Sequence, residues 1–409
     1  MNRATIIFVS LVAGLILGMF ATGAPSFFKE AADVIGTVWL NGLRMTVVPL
    51  VVSLLIVGIV QTAQAARAGK IATWGVIMMI ALLWTSSVIA AIMIPTLTGI
   101  FPMPGEAAAA LTKALGVTPP PESVPPFSEF LRAIVPTNPI NAAANDAILP
   151  LIIFTLAFAF AVVRLPDEKR RSILSLFEGV ADAMVMIVGW VLFLAPIGVF
   201  ALAFSLGITA GAAAFGALAH YVIILVAVGA IIWVLSFLIA AVGAGRGPIT
   251  FFRAAIPAQA VAISTQSSLA SLPAMLKGLD QLGVRTRNSE IILPIAVALF
   301  RATGPAMNLG VALYIAHWLG IELSAGQIAL GIAAGAITTM GAVSLPGSIS
   351  FISSIAPICL AMGVPVEPLG LLVAIETFPD IMRTLGNVTM DMAVTATVDK
   401  HTGEQGQTV

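Results

Sequence analysis

Long apolar runs recur along almost the whole chain, and they limit its fold more than any other feature. A helix needs about 20 mostly apolar residues to cross a bilayer. Runs of about this length lie at 6–23, 37–62, 71–98, 147–163, 173–205, 214–243, 291–318 and 367–397. Only 9% of the 409 residues are charged, against about 25% in soluble proteins. The sequence therefore predicts an all-α polytopic membrane protein with eight transmembrane helices.

The charged residues and the cysteine content exclude several other classes. The formal net charge is +0, so we expect no nucleic-acid partner. The single Cys359 excludes an internal disulfide and a cysteine-based metal site, and the three histidines lie far apart in the sequence. The first apolar run follows Arg3 and also resembles a secretory signal, but the later runs require membrane insertion in either case.

The basic loops predict the orientation of the chain. Basic residues in short loops tend to stay cytoplasmic, whereas the stretches 118–126 and 318–327 contain no Lys or Arg. Alternation of the loops then leaves both termini in the cytoplasm. The basic residues that support this orientation are Arg67, Lys70, Arg164, Lys169, Arg170, Arg171, Arg246, Arg285 and Arg287.

Two further apolar segments, 254–276 and 328–364, carry serine and proline near their middles. Each lies between loops predicted on the same side of the membrane, and Pro273 and Pro346 interrupt helical hydrogen bonding. Irregular backbone at membrane depth is tolerated only where protein buries it or where it lines a watery cavity. We therefore predict two re-entrant hairpins of opposite orientation, an inverted-repeat arrangement typical of transporters. Two ordinary proline-kinked helices are the alternative.

A polar stripe interrupts the last apolar run. Thr384, Asn387 and Asp391 follow the pair Asp380 and Arg383 at spacings that place all five on one helical face. A charge at the bilayer centre costs at least about 2.5–3.5 kcal/mol on insertion scales, so such residues pair or face a cavity. The pattern is compatible with an Asp380–Arg383 pair that satisfies itself, and with a substrate site in which the guanidinium binds a carboxylate.

Several stretches together resemble the glutamate/aspartate transporters, also called dicarboxylate/amino acid:cation symporters. They are "GLRMTVVPLV" (42–51), "PTNPINAAANDAILPLIIF" (136–154), "APIGVFAL" (195–202), "SLP" (271–273), "LPG" (345–347) and "DIMRTLGNVTMD" (380–391). The resemblance implies a homotrimer in a bilayer, with a fixed scaffold and a transport domain that moves like an elevator, gated by the hairpins. A bacterial inner membrane suits a compact chain with short termini.

The resemblance also implies the domain boundaries. The scaffold would comprise 1–70, with the first two spans, and 99–213, with the fourth and fifth. The transport domain would comprise the third span, 71–98, and the region 214–400. The latter would contain the sixth span, the hairpin at 254–276, the seventh span, the hairpin at 328–364 and the eighth span. Residues 401–409 would form a flexible tail.

Matched to the family, the polar stripe becomes a substrate site. Asp380 corresponds to the carboxylate that receives the substrate's amino group, and Arg383 to the guanidinium that clamps its side-chain carboxylate. The implied function is secondary active transport of L-aspartate or L-glutamate, with a C4-dicarboxylate or neutral amino acid symporter or exchanger as the alternative. The other implied substrate contacts are Thr384, Asn387, Ser267, Ser268, Ser344, Leu345, Pro346 and Gly347.

The seventh span departs from the family pattern. Where the family carries Asn-Met-Asp-Gly-Thr, this chain has Arg301, Thr303 and Pro305 at the Asn, Asp and Thr positions. A fixed guanidinium repels cations, so we predict that Arg301 is a tethered cation that replaces at least one bound sodium and pairs with Asp391 or Glu376. The alternative is that Arg301 extends to the membrane interface.

The coupling ion is therefore open between sodium and a proton, and uniport is a third possibility. Asn387 and Asp391 are the candidates for a remaining sodium site, and Thr85 and Ser86 match hydroxyls of another family sodium site. Gln266 and Ile381 stand where the family places an additional arginine, so the pocket has one positive charge fewer.

Two other functional classes explain the sequence less well. Ser267, Asp380 and Asp391 could serve a membrane enzyme, but no nucleophile elbow, metal motif or protease-type Asp pair accompanies them. A dedicated channel would not need a paired Asp and Arg. We therefore predict a transporter that is not an enzyme and that has no cofactor.

Overall fold

The computed structural model describes residues 3–103 apart from 22, 24 and 68, residues 135–340 apart from 146, and residues 347–403. Helices and no β-strands occur within these ranges, which confirms the predicted all-α class. In chain order they are α1 Arg3–Phe20, α2 Ser26–Arg44, α3 Val47–Ala66, α4 Lys70–Ile100, α5 Pro139–Ala144, α6 Ile148–Val163, α7 Asp167–Phe193, α8 Ala195–Ala210, α9 Ala213–Val242, α10 Pro248–Thr265, α11 Ser268–Gln281, α12 Thr286–Leu299, α13 Thr303–Trp318, α14 Ala325–Met340, α15 Gly347–Met362, α16 Leu369–Leu372 and α17 Thr377–Gly403.

Five stretches within the described ranges are long and apolar enough to cross a membrane: Ser26–Ala66, Lys70–Ile100, Asp167–Phe193, Ala214–Val242 and Thr286–Trp318. Shorter apolar helices cover the predicted runs 6–23 and 147–163, whereas the last run, 367–397, contains the short α16 and most of α17. Several runs are each divided into two helices. The sequence analysis did not predict this, because hydropathy does not register a local break in the backbone. The seventh run, for example, divides into α12 and α13. The total of eight spans therefore stays a prediction.

Each of the two Ser- and Pro-rich segments forms a pair of helices that pack on one another. The first consists of α10 and α11, and the second of α14 and α15. Pro273 lies inside α11 and does not make the tip. The break lies instead at Gln266, which has left-handed φ and ψ of 51° and 34°, followed by Ser267. Each pair is predicted to enter and leave the membrane by a single face, and the two pairs by opposite faces. This stays a prediction.

The helices pack in two groups. In the first, α1 lies so close to α8 that a Cβ atom on Gly18 would come within 2.2 Å of the Phe204 carbonyl oxygen. Close approach through small residues is typical of membrane helices. The same group includes α2 against α8, and α3 against α6 and α7. In the second group α17 packs against α9, α10 and α12, and α13 packs against α4. The polar stripe of α17 is thus enclosed by the second group.

Candidate functional site

The polar side chains of α17 are buried in the protein. Asp380, Thr384 and Asn387 are each 5% exposed, and Asp391 is fully buried. Buried charges must be paired, and buried polar groups must be hydrogen-bonded, to avoid a large desolvation cost. The contacts of each group therefore indicate what the site can bind.

Arg383 lies at the centre of an arginine network formed with Glu376, Asp380 and Asn308. Its Nη2 donates to Glu376 Oε1 at 2.6 Å and its Nη1 donates to Asn308 Oδ1 at 2.6 Å. Its Nε lies 3.5 Å from Asp380 Oδ1. Each guanidinium nitrogen therefore faces an oxygen atom of the chain itself. Glu376, which the sequence suggested as a partner of Arg301, pairs with Arg383 instead.

Thr303 links the broken seventh span to α17. Asn387 Oδ1 accepts hydrogen bonds from the Thr303 amide at 2.9 Å and from its hydroxyl at 2.8 Å. The same hydroxyl lies 2.9 Å from the Arg383 carbonyl oxygen, to which it can donate instead. Thr384 donates within its own helix, to the Asp380 carbonyl oxygen. Asn387 thus uses its acceptor to hold α13 against α17.

The contact between α13 and α17 depends on Gly386. A Cβ atom there would lie 2.4 Å from Thr303 Cγ2, so Gly386→Ala should push Thr303 away from Asn387. Overpacking of this kind costs about 1–3 kcal/mol. We expect a lower midpoint of thermal unfolding in detergent for this variant. Gly189→Ala is the matched control, since no atom lies within 4 Å of a Cβ placed there. Equal midpoints for the two variants would contradict the close approach.

Arg301 lies in the break between α12 and α13 and is half-buried. Its charge interacts with those of Asp380 and Asp391 on α17. Within the described ranges, both carboxylate oxygens of Asp391 are buried and have no hydrogen-bond partner. The carboxylate of Asp391 is thus close enough to Arg301 for their charges to interact, but it accepts no hydrogen bond from the described residues.

Of the two hydroxyls predicted on α4, one is brought to this break. Ser86 is buried, and its hydroxyl donates to the Ala302 carbonyl oxygen at 2.5 Å. The side chain of Thr85 is exposed and donates to Ala81 of its own helix at 2.9 Å. Ser86 therefore helps to fix the break beside Arg301, whereas Thr85 points away from it.

The tip of the first helix pair rests on the start of α17. Gln266 Nε2 donates to the Thr377 carbonyl oxygen at 3.4 Å. Ser267 caps α11, and its hydroxyl accepts from the Ala270 amide at 3.2 Å; Ser268 is the first residue of that helix. Ser344, Leu345 and Pro346 lie outside the described residues, and Gly347 begins α15.

Three residues of the site were missed or misplaced by sequence reasoning. Glu376 forms its ion pair with Arg383, and the fully buried Tyr221 lies beside Glu376. Asn308 supplies an oxygen to the network from α13, where its amide is an unusual side chain in an otherwise apolar stretch. That polarity was the available signal. No cluster of three or more metal-ligating His, Cys, Asp or Glu side chains occurs in the described part of the chain.

Comparison with known proteins finds similarity to one family of transporters over nearly the whole length of the chain. The sequence profile of the sodium:dicarboxylate symporter family matches residues 4–401. The proton/sodium-glutamate symport protein of Bacillus subtilis is 29% identical over 98% of this chain and 92% of its own. The proton/glutamate-aspartate symporter of Escherichia coli is 26% identical over 93% and 89%. C4-dicarboxylate transport protein 2 of Polaromonas naphthalenivorans is 26% identical over 97% and 88%.

Proposed function

Because the chain belongs to the sodium:dicarboxylate symporter family, it is a membrane transporter and not an enzyme, and we propose that its substrate is an acidic amino acid. The observation that carries this proposal is the buried pair of Asp380 and Arg383 on one face of α17. A carboxylate suits an ammonium group, and a planar guanidinium suits a carboxylate. L-Aspartate and L-glutamate present both partners.

The alternative substrates would each leave one member of the pair unused. A C4-dicarboxylate has no ammonium group for Asp380, and a neutral amino acid has no side-chain carboxylate for Arg383. A buried polar group without a partner costs about 1–3 kcal/mol, and more if it is charged. The relatives are named as transporters of glutamate, aspartate or C4-dicarboxylates. A C4-dicarboxylate is therefore the second candidate substrate.

We infer that Arg301 acts as a tethered cation in place of a bound sodium. Its interaction with Asp391, whose oxygens accept no hydrogen bond from the described residues, supports this. A sodium ion at Asn387 and Asp391 is the competing arrangement. It is weakened because Asn387 Oδ1 already accepts a hydrogen bond from the Thr303 amide, and the Thr303 hydroxyl lies 2.8 Å from the same oxygen.

The two packing groups support the proposed division into scaffold and transport domain, with α4 and α9 onward in the mobile part. Arg44 of α2 forms an ion pair with Glu367, ahead of α16, and this contact would have to break or form during an elevator movement. The homotrimer, the bacterial inner membrane, the cytoplasmic termini and the gating role of the hairpins belong to the same proposal.

The test is uptake of labelled L-aspartate by purified protein in liposomes, with an inward sodium gradient, an inward proton gradient or neither. We expect saturable uptake that is driven by protons, or one-for-one exchange without a gradient, and no stimulation by sodium. Uptake driven by sodium would contradict the role of Arg301. Uptake of succinate without uptake of aspartate would replace the proposed substrate by a dicarboxylate.

A further inference from the structure

Glu376 is a buried acid whose two oxygens have different surroundings. Oε1 accepts from Arg383 at 2.6 Å. The phenol of Tyr221, on α9, lies close enough to interact with the carboxylate. Neither Oε2 nor Tyr221 Oη has a well-formed hydrogen bond to the described residues, although both are buried. Oε2 can therefore gain a hydrogen bond if a proton arrives.

Three side chains that can carry a proton lie in a row from this point, although no hydrogen bond joins the two phenols among the described residues. Tyr221 packs edge to face on Tyr314, with ring centroids 5.3 Å apart. Tyr314 Oη lies 2.8 Å from His220 Nδ1, and His220 Nε2 lies 2.6 Å from the carbonyl oxygen of Phe101, where α4 ends. The whole chain has two tyrosines, and both lie in this row. His220 is half-buried, so the row reaches from the network to the protein surface.

Binding of a substrate carboxylate creates a conflict in the arginine network. All nitrogens of Arg383 face oxygens of the chain, and Glu376 and Asp380 already share its charge. A third carboxylate that takes the guanidinium must displace one of them. A buried carboxylate separated from its cation is strongly destabilising, unless it becomes neutral.

Glu376 is better suited than Asp380 to become neutral. It is the more deeply buried of the two, 1% against 5% exposed, and Asp380 is needed for the ammonium group of the substrate. The charged and titratable groups that face Glu376 are Arg383 and Asp380 on α17, and Tyr221 on α9. Arg383 keeps its charge at all relevant pH values, and a neighbouring negative charge on Asp380 opposes a second one on Glu376.

We propose that Glu376 takes up a proton when a substrate carboxylate displaces it from Arg383, and that His220, Tyr314 and Tyr221 deliver this proton. In this step the ion pair between Glu376 and Arg383 breaks, and an O–H bond forms on the carboxylate. Water at His220 supplies the proton that enters, and each phenol passes on one proton and receives another once the Tyr221 and Tyr314 hydroxyls, which share no hydrogen bond in this structure, turn toward one another. The protonated acid can donate to Tyr221 Oη. The inference rests on the proposed function, and it makes one proton the coupling ion.

The first experiment measures proton uptake by wild-type protein in weakly buffered detergent when L-aspartate is added. We expect about one proton bound per substrate, and an apparent Kd that falls by up to about tenfold per pH unit of acidification. In Glu376→Gln we expect no proton uptake and an apparent Kd that does not change with pH. A proton gradient should no longer drive accumulation of aspartate by this variant. Glu322→Gln, on an exposed loop, should behave like the wild type.

The second experiment tests the route. His220→Gln should slow proton-driven uptake and leave exchange unchanged, whereas His401→Gln, exposed near the end of α17, should leave both unchanged. The inference is overturned if proton uptake persists in Glu376→Gln, or if the wild type takes up no proton when substrate binds. In either case, aspartate exchange by the wild type would still support the proposed function. If the wild type binds succinate and not aspartate, the proposed substrate is wrong. Proton uptake by the wild type and by Glu376→Gln is then compared on addition of succinate. Binding of neither compound overturns both.

Discussion

Replacing Arg383 by methionine should reduce L-aspartate uptake at least about 100-fold. The change removes the guanidinium that we assign to the substrate carboxylate, and it leaves Glu376 and Asp380 without the cation they share. Removing one partner of a buried ion pair costs about 3–5 kcal/mol, which corresponds to a factor of about 10²–10³ or more in an equilibrium constant. Uptake into liposomes and the midpoint of thermal unfolding measure the two effects.

A double variant separates the two roles of Arg383. In Arg383→Met/Glu376→Gln the buried carboxylate loses its charge together with the guanidinium, so most of the lost stability should return. Uptake should not return, because the clamp for the substrate carboxylate is still absent. If the double variant regained uptake, Arg383 would serve only to neutralise Glu376, and the substrate would be held elsewhere.

The class of fold followed from the sequence because the bilayer requires long apolar runs. The positions of the breaks did not follow. Pro273 is accommodated within α11, and the tip is made by Gln266 in a left-handed conformation, a choice that hydropathy does not reveal. The break before Thr303 likewise depends on contacts with Asn387 and Ser86, which join residues far apart in the sequence.

The candidate site was predictable along α17, where helical spacing alone places Asp380, Arg383 and Asp391 on one face. The contacts from other helices were not predictable. Asn308 and Tyr221 reach the site only because α13 and α9 pack around α17. The partner of Glu376 also depended on three-dimensional distance, since the sequence suggested Arg301, whereas the fold places Arg383 Nη2 at 2.6 Å from its carboxylate.

Replacing Arg301 by asparagine should create sodium dependence in a protein that we propose lacks it. The change removes the guanidinium near Asp391 and leaves a buried carboxylate whose oxygens have no hydrogen-bond partner among the described residues. A new cation would stabilise such a charge, and the asparagine restores the residue type that the family carries there. We expect Arg301→Asn to be destabilised in choline chloride and stabilised again in sodium chloride. At a sodium concentration of 100 times Kd the gain would be about 2.7 kcal/mol.

A second substitution tests whether the charge on Asp391 recruits the sodium ion. In Arg301→Asn/Asp391→Asn the guanidinium and the carboxylate are both gone, so sodium should confer no extra stability, and the midpoints of thermal unfolding in the two salts should agree. Arg287→Asn, on the exposed start of α12, controls for the loss of one positive charge. Equal midpoints of Arg301→Asn in the two salts would mean that Asp391 does not recruit sodium when Arg301 is absent. The guanidinium would then be a structural partner of Asp380 and Asp391, because a group that replaces a bound ion must leave a site for that ion when it is removed.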